Sequence, residues 1–222
     1  MIKATINEKS LIVDILSQSF ESNQSVNYII PQDSKRKKRI RKLMEYSFDV
    51  CYEFGEIFLS DDRTACALVI LPDTKKSTLS STIRDVKFIL FSTGLGKVKL
   101  VLDREAKIKA LHPTTPFYHL WYIGVLPASQ GKGIGRKLLS EIIQRAKELS
   151  RSIYLETSTL RNLPFYKKFG FETFAQLEFS YRLHLLRLPV SATEPVTDSG
   201  NTKSQATLVH KFTSSGPSSN QH

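Results

Sequence analysis

The chain has 222 residues, of which 41% are hydrophobic, and this composition suits a single domain with a substantial buried core. No stretch of about 18 apolar residues occurs, and residues 1–6 lack the pattern of a signal peptide, so we expect neither a membrane span nor secretion. The net charge is +11, and seven of the eight residues from Lys35 to Lys42 are basic.

The basic run from Lys35 to Lys42 has three interpretations. It fits the solvated face of a helix, the attraction of an anionic ligand, or contact with nucleic acid or an acidic lipid. We favour the solvated helix, with anion attraction as a secondary effect, and we expect no nucleic-acid partner.

The two cysteines, Cys51 and Cys66, lie in hydrophobic segments. Their surroundings predict reduced, buried thiols, and their number and spacing do not suit a metal site. We therefore expect a cytoplasmic protein without a bound metal.

In the first half of the chain, apolar residues at helical spacing predict a helix over residues 8–20 and a second helix that begins at Asp33 or Ser34. The basic run then falls on the first turns of the second helix, where the helix dipole disfavours cations. Two predicted strands and two further helical patterns follow, at residues 56–59, 64–71, 83–91 and 98–111.

The second half contains the strongest pattern. The apolar run over residues 117–126 follows prolines and is too short for most helices, so it predicts a buried central strand. A helix is predicted from about Gly133 to Leu149. A buried strand, a short helix and a closing pair of antiparallel strands follow, at residues 152–157, 163–169, 171–177 and 179–188.

The domain organisation follows from a change in composition. Residues 1–190 carry these periodic elements and predict a single domain. Residues 191–222 are rich in Ser, Thr, Asn, Gln and Pro and have no periodic apolar face, so we expect a disordered tail there.

The segment 130–136 lies between a predicted buried strand and an amphipathic helix. The unpaired backbone N–H groups and the positive dipole end at the start of a helix make an anion site that suits a pyrophosphate. Three glycines let phosphate oxygens approach the backbone, while Lys132 and Arg136 add positive charge. These glycines are Gly131, Gly133 and Gly135.

Other phosphate-binding loops do not match this segment. The Walker A pattern is absent, and the third glycine comes one position too early for a dinucleotide fingerprint. A helix that merely tolerates three glycines would lose up to about 1 kcal/mol at each of them. The spacing therefore favours close contact between the backbone and a ligand.

The run from Gln130 to Gly135 resembles the Gln/Arg-x-x-Gly-x-Gly/Ala signature of the GNAT superfamily of N-acetyltransferases. Residues 155–158, 161–166 and 169–171 are similar to the corresponding stretch of puromycin N-acetyltransferase-like members. The resemblance covers about residues 117–188. It implies an α/β (α+β) GNAT fold with a mixed central sheet of six to seven strands, flanked by helices, whose two central strands splay apart to hold coenzyme A.

The resemblance also implies residues that bind the cofactor. Backbone groups of Ile123, Gly124 and Val125 would meet the pantetheine and the thioester. Asn162 matches a position that contacts the cofactor arm, although it would also suit the cap of the short helix. The turn that would hold the pyrophosphate consists of Gln130, Gly131, Lys132, Gly133, Ile134, Gly135 and Arg136.

Tyr166 matches the tyrosine that protonates the departing thiolate in this family. A phenol at a helix end can hydrogen-bond to sulfur and deliver its proton as charge develops. The alternative is a packing role, but Phe165 and Phe169 share one helix face by their i,i+4 spacing and leave Tyr166 to point elsewhere.

The attacking amine must lose a proton, and the candidates to accept it are Glu156, His119 and Tyr122. We favour Glu156, since burial in an apolar strand would raise its pKa toward a useful value. Glu156 would otherwise pair with Arg161 or another cation, and His119 suits a core histidine equally well.

We therefore predict an N-acetyltransferase, an acyltransferase that uses acetyl-CoA as cosubstrate and transfers the acetyl group directly to a small-molecule amine. Two alternatives remain open. The acceptor could be a protein N-terminus, a lysine or a ribosomal component, or the chain could be a non-catalytic module that binds coenzyme A. We expect a monomer or a homodimer.

Overall fold

The structure of the protein is a computed structural model, and it describes residues 1–74 and 95–190. These residues form one seven-stranded sheet with helices on both faces, which confirms the predicted fold class. The strands are β1 (Ile2–Lys3), β2 (Gly55–Leu59), β3 (Ala65–Ile70), β4 (Tyr118–Val125), β5 (Ile153–Thr157), β6 (Glu172–Glu178) and β7 (Arg182–Leu188). The α-helices in these ranges are α1 (Lys9–Ser19), α2 (Gln24–Ile29), α3 (Arg36–Phe54), α4 (Val98–Lys109), α5 (Ile134–Glu148) and α6 (Leu163–Lys167).

The predicted elements differ from the structure mainly at their ends. Helix α3 begins at Arg36, and its cap position is Lys35 rather than Asp33 or Ser34; the Asp33 carboxylate instead accepts a 2.9 Å bond from the Lys35 amide. Strand β1 and helix α2 were not predicted. The helical pattern at residues 83–91 and the tail at residues 191–222 lie outside the described residues.

The sheet opens between its two central strands. The strand order is β1-β2-β3-β4-β5-β7-β6, and every neighbouring pair is antiparallel except β4 and β5. These two parallel strands pair only at Tyr118 with Ile153 and at His119 with Tyr154. Beyond that point β4 pairs with β3 and β5 pairs with β7, so the predicted splayed strands are confirmed and the gap widens toward their carboxyl ends.

Helices cover the two faces of the sheet unequally. Helices α1 and α3 pack on each other and on β2, β3 and β4, while α5 packs on the opposite face of β3 and β4. Gly124 allows the close approach of α1, since a Cβ atom there would lie 3.1 Å from the side chain of Ser19. No helix within residues 1–74 or 95–190 is long and apolar enough to cross a bilayer.

The chain between α1 and α3 crosses the open end of the gap, and we call residues 19–30 the crossing segment. At its start the Ser19 hydroxyl donates a 2.9 Å hydrogen bond to the carbonyl of Val125, the last residue of β4. The Ser25 amide donates to the Ser158 hydroxyl, just past the end of β5, at 3.4 Å. The crossing segment is thus tied to both parted strands.

A buried charge network fixes α5 to the sheet. The Glu56 carboxylate accepts hydrogen bonds from the Arg145 guanidinium at 2.8 and 3.2 Å and from the Tyr118 hydroxyl at 2.7 Å. Burial alone would raise the pKa of Glu56, but Arg145, Tyr118 and Lys3 outweigh burial and hold that pKa below its usual value. Glu56 therefore stabilises the fold as an anion.

Glu56→Gln should lower the free energy of unfolding by about 1–3 kcal/mol at pH 7, because the Arg145 bonds lose their charged acceptor. A lowered folded pKa means that this stabilisation is present above about pH 4.3, the ordinary value for Glu, and is lost as the pH falls through the folded pKa. Denaturant titrations at several pH values should therefore show that the difference in unfolding free energy between wild type and Glu56→Gln becomes smaller below about pH 4. Glu172→Gln, at an exposed pair 3.8 Å from Arg187, is the control and should change little.

Candidate active site

The glycine-rich turn connects the end of β4 to the start of α5, and its glycines serve different purposes. Gly131 and Gly133 both have φ +81°, in the left-handed region, and a Cβ atom at either position would meet nothing within 4 Å. Backbone conformation therefore requires glycine at these two positions, and the space beside them is open. At Gly135 a Cβ atom would lie 3.2 Å from the Val125 side chain, so this glycine lets α5 pack against β4.

The turn presents unpaired amides. The first backbone bond of α5 runs from the Lys137 amide to the Gly133 carbonyl at 3.0 Å, so the amides just before Lys137 have no helical acceptor. No side chain caps this helix. Lys132 and Arg136 are exposed, and neither forms an ion pair with any residue of the described ranges. Amides and unpaired cations at one helix start fit an anionic ligand.

Two side chains of the protein already bind the backbone at the end of β4. The Val125 carbonyl accepts bonds from the Gln130 side chain at 3.1 Å and from the Ser19 hydroxyl at 2.9 Å. Gln130 therefore fastens the turn to the strand. The carbonyl of Val125, expected to meet the cofactor, already has two donors. Ile123 on β4 and Ile134 at the start of α5 pack against the core between the helix and the sheet.

Tyr166 lies on α6 with 6% of its surface exposed, in edge contact with the rings of Phe165 and Phe171. The Phe165 and Phe169 rings contact each other, as their spacing predicts. Among the described residues the Tyr166 hydroxyl has no hydrogen-bond partner, and it is not sealed from solvent. Burial raises the pKa of this phenol, which therefore stays protonated at neutral pH.

Asn162 precedes α6 at its cap position. The helix-cap alternative is thus right about the position, but the Asn162 side chain makes no capping hydrogen bond. The amide group is half-buried beside the start of the helix that carries Tyr166.

Glu156 differs from its predicted state. Its two carboxylate oxygens lie 2.8 Å from the Nε2 atoms of His112 and His119, and it does not pair with Arg161. Burial alone would raise the pKa of Glu156, as predicted, but the charge of His119 and the bonds from both imidazoles outweigh burial and hold that pKa far below its usual range. The expectation of a raised pKa was wrong because the sequence does not show these two histidines converging.

The other candidate base and a buried histidine are also placed by the structure. Tyr122 lies in the core beside Ser47, and burial raises its pKa to about 12, which makes it a poor candidate for the proton acceptor.

His184 on β7 is 5% exposed, and neither ring nitrogen has a partner in residues 1–74 or 95–190. Sequence reasoning missed His184, since nothing in its apolar strand distinguishes it.

One set of side chains in the described ranges has the donor types and spacing to hold a divalent cation: His112, His119 and Glu156, whose donor atoms lie within 4.8 Å of one another. Each imidazole nitrogen sits at hydrogen-bonding distance from a different carboxylate oxygen. This is the geometry of a hydrogen-bonded network whose members satisfy each other.

Known proteins resemble part of this chain in sequence. The model of the family "Acetyltransferase (GNAT) domain" matches residues 95–173. An uncharacterized N-acetyltransferase, C550.08 of Schizosaccharomyces pombe, is 29% identical over 128 residues, 50% of this chain and 52% of that protein. The N-alpha-acetyltransferase RimI of Mycobacterium tuberculosis is 40% identical over 81 residues, 35% of this chain and 50% of RimI. The chain thus spans about half the length of these curated relatives.

Solved structures agree at the level of the fold. The histone acetyltransferase HPA2 and related acetyltransferase from Corynebacterium glutamicum has a TM-score of 0.62 at 20% identity, covering 87% of this chain and 97% of that one. An N-acetyltransferase from Staphylococcus aureus has a TM-score of 0.51 at 16% identity, covering 83% and 97%. The parted central strands and the glycine-rich turn define the class of α/β acetyltransferase folds. The described residues thus have the GNAT fold, and residues 95–173 match the model of the acetyltransferase domain.

Proposed function

We propose that the chain is an N-acetyltransferase that transfers an acetyl group from acetyl-CoA directly to the amine of a small-molecule acceptor. The observation that carries the proposal is the turn at the end of β4. Its amides before Lys137 have no helical acceptor, the space beside Gly131 and Gly133 is open, and Lys132 and Arg136 are exposed without an ion-pair partner in the described ranges. A pyrophosphate held there would direct the rest of the cosubstrate into the gap between β4 and β5.

The residues of the chain would divide the reaction as follows. Amides of residues 131–136 hold the pyrophosphate, and a β4 amide facing the gap polarises the acetyl carbonyl, a contribution typically worth ~3–4 kcal/mol. The acceptor nitrogen bonds to the acetyl carbon, and the carbon–sulfur bond then breaks. The Tyr166 hydroxyl gives its proton to the departing thiolate sulfur, while the proton of the amine passes to a base of the protein. The tyrosinate then regains a proton from solvent and the base releases one.

The cysteines support direct transfer over an acetyl-enzyme intermediate. Cys51 and Cys66 are fully buried in the core, and burial raises the pKa of both thiols. A nucleophilic cysteine needs an accessible thiolate, which neither position offers. Initial velocities with both substrates varied should therefore give intersecting double-reciprocal lines, and parallel lines would contradict direct transfer.

The basic run counts against a nucleic-acid or acidic macromolecular acceptor. Most of its cations pair with carboxylates of the protein itself. These pairs are Arg36 and Lys37 with Glu21, Arg39 with Asp33, Arg41 with Asp14, and Lys42 with Glu45. The pairs of Arg36, Lys37 and Arg41 thus join α3 to α1 and to the turn that follows α1. The pairs of Arg39 and Lys42 lie within α3 and its entry, as a solvated helix predicts.

The crossing segment also favours a compact acceptor. Its Tyr28 ring contacts the rings of Phe179 and Tyr181, in the turn between β6 and β7, at 5.5 and 5.3 Å between centroids. The Lys97 ammonium donates to the Tyr28 carbonyl at 2.6 Å. These contacts join the crossing segment to the β6–β7 turn and leave limited room for an extended polypeptide.

Lys35 and Lys38 are the cations of the basic run without an ion-pair partner in residues 1–74 and 95–190, and neutralising them tests the acceptor class. Lys35→Ser with Lys38→Ser should change the KM of the acceptor by no more than about twofold, because exposed charges contribute little. Steady-state kinetics at low and high salt measure this effect. A tenfold rise in KM that high salt abolishes would instead support an acidic macromolecular acceptor.

The proposal as a whole is tested by two measurements on the same preparation. Acetyl-CoA should raise the melting temperature, and release of free thiol should depend on an added amine. A protein that binds acetyl-CoA but transfers acetyl to no member of a broad amine panel would be a non-catalytic module. A protein that shows neither effect would contradict the proposal altogether.

A further inference from the structure

Two ionisable side chains meet where the central strands part. His119 is the last residue of β4 that pairs with β5, opposite Tyr154. Glu156 lies two residues beyond Tyr154 on β5, so its side chain projects from the same face of the sheet as that of His119. This face carries α1, α3 and the crossing segment, and it is opposite to the face covered by α5. The pair therefore joins the two strands at the base of the gap.

A third residue completes this cluster. His112, from the loop after α4, and His119 each place Nε2 2.8 Å from a different oxygen of Glu156. A carboxylate accepts hydrogen bonds, so each Nε2 carries a proton, and in the neutral form of His119 the lone pair lies on Nδ1. Within the described part of the chain, Nδ1 of His119 has no partner, and it is not sealed from solvent. The cluster thus presents an unoccupied basic nitrogen.

The same contacts disfavour Glu156 as the proton acceptor. Both of its oxygens are engaged, and its pKa is held far below the ordinary range. Burial alone would lower the pKa of His119, but the charge of Glu156 and its hydrogen bond outweigh burial and raise that pKa. A buried carboxylate that orients an imidazole and stabilises its protonated form is a general arrangement for a base.

The other charged groups near His119 lie on α4 and carry opposite charges. Glu105 on α4 also favours the protonated form of His119. Arg104, on the same helix, pairs with Glu105 and donates a 2.9 Å bond to the Tyr181 hydroxyl. Phe117 and His112 contribute the neighbouring rings, at 6.0 and 4.9 Å between centroids. Glu156 is therefore the charged group in direct contact with His119.

We propose that His119 is the catalytic proton acceptor for the acceptor amine, and that Glu156 and His112 are positioning residues that hold its ring. Nδ1 of His119 takes a proton from the nitrogen, directly or through one water, as the new bond to the acetyl carbon forms. The proton later leaves to solvent and restores the neutral ring. This inference rests on the proposed acetyl transfer.

The test compares pH profiles of kcat/KM for three variants with one amine, so that ionisation of the amine is common to all. His119→Gln should lower kcat/KM by roughly 10²- to 10⁴-fold at pH 7 and remove the acidic limb that the histidine causes. Glu156→Gln should keep an acidic limb but move it to lower pH, because His119 loses the anion that raises its pKa. His112→Gln should cause a smaller loss in kcat/KM than His119→Gln.

His184→Gln is the matched control, since it removes another buried histidine, on the opposite face of the sheet. It should leave the acidic limb in place. The acetyl-CoA melting shift of each variant reports whether its fold and cofactor site survive.

Two outcomes would overturn the inference. One is a His119→Gln enzyme with near wild-type turnover and an unchanged acidic limb. The other is a Glu156→Gln enzyme that loses its limb entirely while His119→Gln keeps it, which would make Glu156 the base. Both outcomes require a wild-type enzyme that acetylates the amine, so they are distinguishable from a failure of the proposed function, in which no acetylation occurs at all.

Discussion

Tyr166→Phe is expected to lower kcat by about 10²- to 10⁴-fold while the dissociation constant of acetyl-CoA changes by less than about threefold. The ring of Tyr166 packs against Phe165 and Phe171, and phenylalanine preserves that packing. The hydroxyl has no partner among the described residues, so its removal leaves no buried group unsatisfied. The loss should therefore appear in turnover alone, where a proton to the departing sulfur is missing.

Steady-state kinetics together with calorimetry separate these two effects. Tyr52→Phe removes a phenol from an exposed position on α3, where 49% of the side chain is accessible, and it should leave kcat unchanged. A Tyr166→Phe enzyme with wild-type turnover would remove Tyr166 from the acid role. Recovery of the turnover of Tyr166→Phe with an acetyl thioester of a more acidic thiol would support that role, because such a thiolate leaves without protonation.

Gly133→Val is expected to weaken acetyl-CoA binding by roughly 10- to 100-fold. A β-branched residue at φ +81° is strained, and relieving that strain moves the amides that would hold the pyrophosphate. Loss of a hydrogen bond to a charged group costs about 1.5–3 kcal/mol, which corresponds to this range. The melting temperature without ligand should also fall, since the strain of roughly 1–2 kcal/mol remains in the free protein.

Isothermal titration of acetyl-CoA into the variant checks this effect. Gly96→Val is the control, because Gly96 has no positive φ and a Cβ atom there meets nothing within 4 Å. It should bind acetyl-CoA as the wild type does. An unchanged affinity in a folded Gly133→Val protein would show that the turn does not carry the pyrophosphate.

Patterns local in sequence predicted much of this fold. The apolar run that forms β4, the glycine turn and the amphipathic α5 follow one another in the chain, so periodicity and spacing were sufficient to place them. Strand β1 and helix α2, with two and six residues, are too short for such a signal, and contacts with β2 and Ser158 hold them in place.

The state of Glu156 depends on residues that are distant in sequence. His112 and His119 precede it by 44 and 37 positions, and the sequence does not show that all three converge at the base of the gap. The Glu156 side chain is 11% exposed, and burial without partners and burial with two imidazole donors shift a carboxylate pKa in opposite directions. The available signal in the sequence was that His112 and His119 both lie near the start of the predicted central strand.

The role of Gly135 was also only partly predictable. The sequence showed three glycines in five residues and suggested one reason for all of them. The structure separates two left-handed positions from one packing position, since the contact of Gly135 with Val125 depends on how α5 lies on β4. Spacing alone cannot make this distinction.

The most direct test of the account compares coenzyme A with pantetheine, which lacks the pyrophosphate, by calorimetry on the folded wild-type protein. If the turn from Gly131 to Arg136 holds the pyrophosphate, coenzyme A should bind at least about 100-fold more tightly than pantetheine. Equal affinities for the two ligands, or no heat from either, would contradict it.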